Sequence, residues 1–236
     1  RIRKETDMDA KLNIGVVIVA GGSGQRMGGP VPKQFMIVGG KPLLVRTINV
    51  FAEALPAAEI VVVLPEGQVD FWKNLSARFD VARHRIAIGG KERFDSVKAG
   101  IAALGAQTRF IAVQDGVRAL VSKKLIIRAL QTAIETGSAI PAIAPTDSFR
   151  ETGDNGESHP VDRSRLRMIQ TPQIFEAGLL RKAYETEYDP SLTDDATVVE
   201  RSGAKVTLCE GERTNIKITT ADDLTLAEAI IAEREQ

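Results

Sequence analysis

The chain is short of the residues that most metal and redox chemistry needs. Cys209 is its single cysteine, and His84 and His159 are its only histidines. No intrachain disulfide can form, and a Cys/His zinc site lacks its ligands. Nor is there an excess of charge of either sign. Lys+Arg and Asp+Glu both number 31, so no basic face is available to track a nucleic-acid backbone. Aromatic residues make up 5% of the chain, and the one tryptophan, Trp72, is expected to pack on a helix face. That leaves no stacking platform for single strands. No G-x-S-x-G elbow occurs, which removes the common serine-hydrolase arrangement. No apolar run approaches the ~20 residues that span a bilayer. The opening "RIRKETDMDAKLN" has no apolar core like that of a signal peptide. The expectation is a cytoplasmic protein with no nucleic-acid or membrane partner. Any anion it binds must be met by a few placed cations.

What is present is a β-α rhythm. "IGVVIVA" (14–20), "EIVVVLP" (59–65), "HRIAIGG" (84–90), "RFIAVQD" (109–115) and "SAIPAIAP" (138–145) are nearly continuous in Val, Ile and Ala. Strands buried on both faces have that composition. Between them lie "KPLLVRTINVFAEAL", "VDFWKNLSARF", "ERFDSVKAGIAAL" and "SKKLIIRALQTAIETG", with apolar residues at helical spacing. Pro42 suits a first helical turn, and Ser122 and Gly137 suit caps. The alternation predicts an α/β fold with a mostly parallel sheet flanked by helices. Residues 1–12 read as a polar tail and 13–236 as a single domain.

The rhythm stops after Pro145. "TDSFRETGDNGESHPVDRSRLRMIQTPQIF" is polar throughout and carries Gly153, Gly156 and Pro160. A stretch this long without a helix signals function or an extension. It reads as a β-hairpin arm inserted at about 146–170, with its turn near "GDNGE". Helices around "EAGLLRKAYETEY" and "DDATVVERSG", strands "KVTLCE" and "NIKIT", and a closing helix from Ala221 complete the expected chain.

The loop "AGGSGQRMGGPVPKQF" (20–35) carries the first chemistry. It is not a dinucleotide fingerprint, because Met27 stands where the third glycine belongs. It is not a Walker A loop either, since Gly40-Lys41 is followed by Pro42. What remains is a strand, small residues at Gly22 and Gly24 that expose backbone amides, and two cations, Arg26 and Lys33. Together these form a polyphosphate site by electrostatics. The competing reading, a glycine turn with solvated basic residues, has no use for the whole set.

That loop resembles the signature of sugar-phosphate and polyol-phosphate cytidylyltransferases, which have a Rossmann-like nucleotidyltransferase fold. "GGKERFDSV" (89–97), "QDGVR" (114–118), "VDR" (161–163), "QTPQIF" (170–175), "TDDA" (193–196) and "NIKIT" (215–219) follow in the family's order. Within the family, the chain is most similar to members that act on 2-C-methyl-D-erythritol 4-phosphate in non-mevalonate isoprenoid biosynthesis. The resemblance implies transfer of a cytidylyl group from CTP, with Mg²⁺, and release of pyrophosphate. It assigns Arg26 and Lys33 to the triphosphate, with Lys217 as a third catalytic cation. Ala20, Gly21, Gly90 and Ser96 form the base pocket.

Asp115 ends a strand where open α/β sheets place their sites, and serves either Mg²⁺ or substrate hydroxyls. Arg118 meets a phosphate or orients Asp115. Arg163, Thr171 and Thr193, with Ser148 nearby, hold the alditol phosphate. Relatives are homodimers with crossed arms, which gives Arg163 to the neighbour's site. Two departures stand out: Lys91 replaces the acidic residue of many relatives, and Asp115-Gly-Val-Arg118-Ala119 replaces D-A-A-R-P.

Some positions have bland competitors. "TDDA" also reads as an N-cap at Thr193 followed by acidic first-turn residues. Thr220 and Asp223 read as a capping box and nothing more. At the level of function, a ribitol 5-phosphate cytidylyltransferase shares almost every motif. A non-catalytic nucleotide-binding homologue is the other alternative.

Overall fold

The run Ile14–Val19 forms strand β1, and Val16, Val17 and Ile18 are wholly buried. A strand this uniformly apolar needs cover on both faces. The computed structural model, which describes residues 12–21 and 31–235, shows that cover. After β1, Ile37–Val38 (β2) and Lys41–Pro42 (β3) pair as a small antiparallel ribbon. Then come α1 (Leu43–Ala54), β4 (Glu59–Leu64), α2 (Val69–Ser76) and β5 (Arg85–Ile88). They are succeeded by α3 (Arg93–Ala103), β6 (Phe110–Asp115), α4 (Lys123–Thr136) and β7 (Ser138–Ile143). The five strands and four helices expected of the β-α rhythm are there.

β1 lies between β6 and β4 and parallel to both, and β5 extends the parallel order past β4. Alternate strand residues feed two cores. Val16, Ile18, Val62 and Leu64 pack with α1 and α4, while Val17, Val61 and Val63 pack with α3 and later helices. Each fully buried aliphatic side chain contributes about 1.5–3 kcal/mol, so these two layers hold the sheet. α4 is capped as expected. Ser122 Oγ accepts from the Leu125 amide at 3.0 Å, and Gly137 closes the helix at φ 86°. Pro42 stands at the N-cap of α1, one place before the first turn.

α3 comes close to the sheet at Gly100. A Cβ there would overlap Val17 and stand 2.9 Å from Val63 Cγ2. Gly100→Ala is therefore expected to destabilise the protein by about 1–3 kcal/mol through overpacking, despite alanine's better helix propensity. Urea denaturation checks this; an unchanged midpoint would mean that α3 can move off the sheet freely.

The polar stretch contains the expected hairpin. Phe149–Thr152 (β8) and Ser158–Val161 (β9) pair antiparallel in a sheet of their own, with Gly156 in the turn at φ 83°. Every residue of β8 is exposed. The segment after the hairpin departs from expectation. Met168–Ile169 (β10) and Gln173–Glu176 (β11) are strands, and β11 runs antiparallel between β6 and β7. Burial of Ile174 and Phe175 explains its place; its polar flanks hide it in the sequence.

Helix α5 (Ala177–Ala183), α6 (Asp195–Arg201), β12 (Leu208–Glu210) and α7 (Ala221–Arg234) complete the chain. α7 opens on the expected Thr220–Asp223 capping box. Two further expectations are corrected. The N-cap of α6 is Asp194, whose side chain accepts from Thr197 N at 2.9 Å, so Thr193 stands outside the helix and is exposed. "NIKIT" joins no ladder. Ile218 N donates to Val117 O, and Ile218 packs under α7. Among the described residues, no helix is long and apolar enough to cross a membrane.

Candidate active site

The carboxyl ends of β1, β5 and β6 open on one cavity of about 370 Å³. Ala20 and Gly21 follow β1, Gly90 follows β5 and Asp115 ends β6. These line it together with Lys33, Ser96 and Lys217. The parallel strands all point their ends here, which is why residues distant in sequence converge. Gly22, Gly24 and Arg26 lie outside the described residues.

Lys33 sits in a single 3-10 turn, Lys33–Phe35, entered through Pro32. Its two neighbours anchor it. Gln34 is buried and its Nε2 donates to Ala20 O at 2.7 Å and to Gln68 Oε1 at 2.6 Å. Phe35 is buried and stacks on Trp72, ring centroids 5.8 Å apart. Trp72 is itself wholly buried and donates from its indole to His84 Nε2 at 3.1 Å. The turn bearing Lys33 is thus tied both to the end of β1 and to the core.

On the base-pocket side, close approach sets the glycines. A Cβ on Gly89 would stand 2.7 Å from Ser96 Oγ, and one on Gly90 would run into Asp95. Ser96 Oγ donates to Glu92 O at 3.1 Å. Glu92 and Asp95 form a capping box at the start of α3, so the "GGKERFDSV" segment is a helix start that also walls the cavity.

Asp115 is the electrostatic centre. Its carboxylate faces Lys217 Nζ at 3.0 Å, Arg93 Nε at 3.4 Å and Arg118 Nε at 3.6 Å. Its amide donates to Thr171 Oγ1 at 3.1 Å. Burial alone would raise this carboxyl; Arg93 foremost, then Lys217 and Arg118, hold it down at about 2. It is ionised at any working pH. Three cations face Asp115, and Asp195 offsets one of them, Arg93; the remaining excess of positive charge favours an anion. Lys217 reaches it because Ile216 and Ile218 pack under α7 and the alternating side chain faces the other way. Arg118 donates to Asn215 O at 2.7 Å, and its buried Nε has no hydrogen-bond partner. The Asp115–Arg118 pair is therefore part of a buried cluster, not a surface pair.

A second cavity, about 300 Å³, adjoins the first. It shares Arg93, Asp115 and Lys217 with it and adds Arg118, Thr171 and Thr193. Ser148 and Arg163 line neither cavity. Ser148 is exposed just before β8, and Arg163 donates to Thr146 O from a short turn after β9.

The described residues offer no all-protein cage for Mg²⁺. Among the described residues no three His, Cys, Asp or Glu side chains gather as ligands. Asp115, expected to serve either Mg²⁺ or substrate hydroxyls, faces three cations. Arg93 is a charged residue of both cavities that the sequence did not single out. It lies inside a quoted motif, yet its partners, Asp115 and Asp195, are 22 and 102 residues away.

The sheet, the cation-bordered cavity and the adjoining second cavity suit an α/β nucleotidyltransferase, the class to which the matching family belongs. Residues 14–233 match the model of one family, 2-C-methyl-D-erythritol 4-phosphate cytidylyltransferase (IspD). The chain belongs to that family, and its activity is CTP-dependent cytidylyl transfer to methylerythritol phosphate in the non-mevalonate pathway.

The family's enzyme from Bacteroides fragilis is 45% identical over 217 residues, 91% of this chain and 98% of that protein. The one from Clostridium perfringens strain 13 is 39% identical over 221 residues, 91% of this chain and 97% of that protein. Among solved structures, 4-diphosphocytidyl-2C-methyl-D-erythritol synthase from Anaerococcus prevotii superposes with a TM-score of 0.79 at 28% identity, over 93% of this chain and 98% of that one. The cytidylyltransferase from Thermus thermophilus gives 0.74 at 31% identity, over 93% and 99%. Of the substrates that the sequence left open, these matches select methylerythritol phosphate over ribitol phosphate.

Proposed function

We propose that the first cavity holds CTP, the second holds 2-C-methyl-D-erythritol 4-phosphate, and the reaction occurs where they meet. One observation carries this reading: the two cavities share Arg93, Asp115 and Lys217. A transfer reaction needs two sites with one common border, because both substrates must touch a single phosphorus atom.

The cytosine lies against Ala20, Gly21, Gly90 and Ser96. The triphosphate runs along the loop that bears Gly22, Gly24, Arg26 and Lys33, the roles of Gly22, Gly24 and Arg26 resting on sequence. A phosphate oxygen of the alditol attacks the α-phosphorus, a new P–O bond forms, and the bond to the β-phosphate breaks. Pyrophosphate leaves with the electron pair, and no proton need move because the nucleophile is already an anion. The protein's task is alignment and neutralisation of crowded negative charge. Lys33 and Arg26 meet the developing charge, and Lys217 steers the incoming phosphate. Asp115 keeps Lys217 in place and accepts from substrate hydroxyls; Arg118, Thr171 and Thr193 hold the alditol end. Mg²⁺, when bound with the triphosphate, would supply further neutralisation of its charge.

The same reading makes the protein a homodimer whose arms cross. Arg163 and Ser148 lie on or beside the hairpin and line neither cavity of their own chain. Phe149, Met168 and Ile169 are 40%, 50% and 38% exposed along that region, which offers an apolar surface to a second copy. A cytoplasmic location belongs to the proposal, since both substrates are highly charged solutes that do not enter a bilayer.

Pyrophosphate release from CTP and Mg²⁺, measured with each polyol phosphate in turn, tests the reading. Methylerythritol phosphate is expected to support turnover and ribitol 5-phosphate to support far less. Equal or better turnover with ribitol phosphate overturns the substrate assignment. No release with either would leave a nucleotide-binding protein without the activity.

A further inference from the structure

We infer that Arg93 is a positioning residue for the alditol phosphate, holding the loop at Thr193 and the Asp115–Lys217 pair in one frame. The inference rests on the two-cavity reading above and adds a specific residue to it.

The geometry is that of a three-way clamp. Arg93 Nη1 and Nη2 donate to Asp195 Oδ1 and Oδ2 at 3.1 and 2.7 Å, a bidentate pair, while Nε faces Asp115 Oδ1 at 3.4 Å. The guanidinium therefore ties the first turn of α6 to the last residue of β6. Asp195 is wholly buried, and Tyr184 donates to its Oδ1 at 2.6 Å. Its carboxylate is buried and already accepts three hydrogen bonds, which marks its role as support.

The Asp195 end of the clamp bears on the second cavity. Thr193 and Asp194, which line it, come immediately before Asp195. Gln173 holds the same junction from β11, donating to Asp194 Oδ2 at 2.8 Å and accepting from Ala196 N at 2.9 Å. With Gln173 on one side and Arg93 on the other, Thr193 is held on the rim by two elements.

The Asp115 end bears on the shared border. Arg93 takes part of the attraction of Asp115, so Lys217 is not the sole partner of that carboxylate. Without Arg93, Lys217 is drawn more tightly to Asp115 and is less available to an incoming phosphate. Arg93→Lys does not preserve the clamp, because a single ammonium cannot bridge two carboxylates with a rigid fork.

Removing Arg93 alone leaves a buried, unpaired Asp195, which can unfold the chain. The decisive variant therefore removes both charges, Arg93→Met with Asp195→Asn, so that no unpaired charge stays buried and the amide oxygen still accepts from Tyr184. The double variant is expected to melt near the parent and to keep its KM for CTP. Its KM for the polyol phosphate is expected to rise about tenfold and its kcat to fall about 10²-fold, the scale of a misplaced reactant. Parent-like kinetics in a folded double variant would overturn the inference and make the clamp purely structural. If the double variant fails to fold, Arg93→Lys decides by the same split: a raised KM for the polyol phosphate alone supports the role, and parent-like constants refute it. Failure of the functional reading looks different, because the parent protein itself would then release no pyrophosphate.

Discussion

Lys33→Ala is expected to lower kcat by on the order of 10²–10³ while leaving the thermal midpoint almost unchanged. The rate loss stems from charge. In the reaction two anions meet at one phosphorus and negative charge builds on the leaving pyrophosphate. A fixed ammonium bordering a walled cavity offsets that charge without having to reorganise. The stability expectation stems from packing. The turn at 33–35 is anchored by buried Gln34 and Phe35, while Lys33 itself is only half-buried. Its loss opens no apolar cavity, and such substitutions usually change stability little. Steady-state turnover with a parallel melt separates the two effects. A large drop in melting temperature would make Lys33 structural, and unchanged turnover would remove it from the chemistry.

Mixing Lys33→Ala with Arg163→Ala subunits is expected to restore activity that neither variant has alone. In a two-fold dimer with crossed arms, each site takes Lys33 from one subunit and Arg163 from the other. A heterodimer then holds one intact site and one doubly defective site. With random exchange half the dimers are heterodimers, so recovery of about a quarter of parental activity is expected. Absence of recovery, with heterodimers demonstrated by mass, would place Arg163 in its own subunit's site or outside catalysis. The hairpin geometry motivates the test: Arg163 bonds to Thr146 within the arm and lines neither cavity of its own chain.

Much of the architecture can be read directly from the chain. Strands such as Glu59–Leu64 and Phe110–Asp115 are short apolar runs bounded by polar residues, and double-sided burial makes them stand out from any helix face. Caps are equally visible, because Ser122, Gly137 and the Thr220–Asp223 box act within four residues. Local physics has local signatures. The signal is faint where pairing is remote. β11 is four residues with polar flanks, and only insertion between β6 and β7 buries Ile174 and Phe175. "NIKIT" alternates like a strand, yet an isolated backbone bond to Val117, side chains and a helix hold it rather than a ladder. At "TDDA" two residues compete to cap one helix, and the backbone path chose Asp194 over Thr193.

By itself the sequence determined the sheet-and-helix class, the loop cations, and the presence of Asp115 at the end of one apolar run and of Lys217 in the middle of another. These depend on periodicity and residue type over a few positions. Only the tertiary structure decided that Asp115 is shared by Arg93, Arg118 and Lys217, that Asp195 and Tyr184 support the clamp, and that two cavities meet there. The reason is physical. A charge network is set by distances among groups from β6, α3, α6 and the segment before α7, and those distances exist only after the two apolar layers have packed.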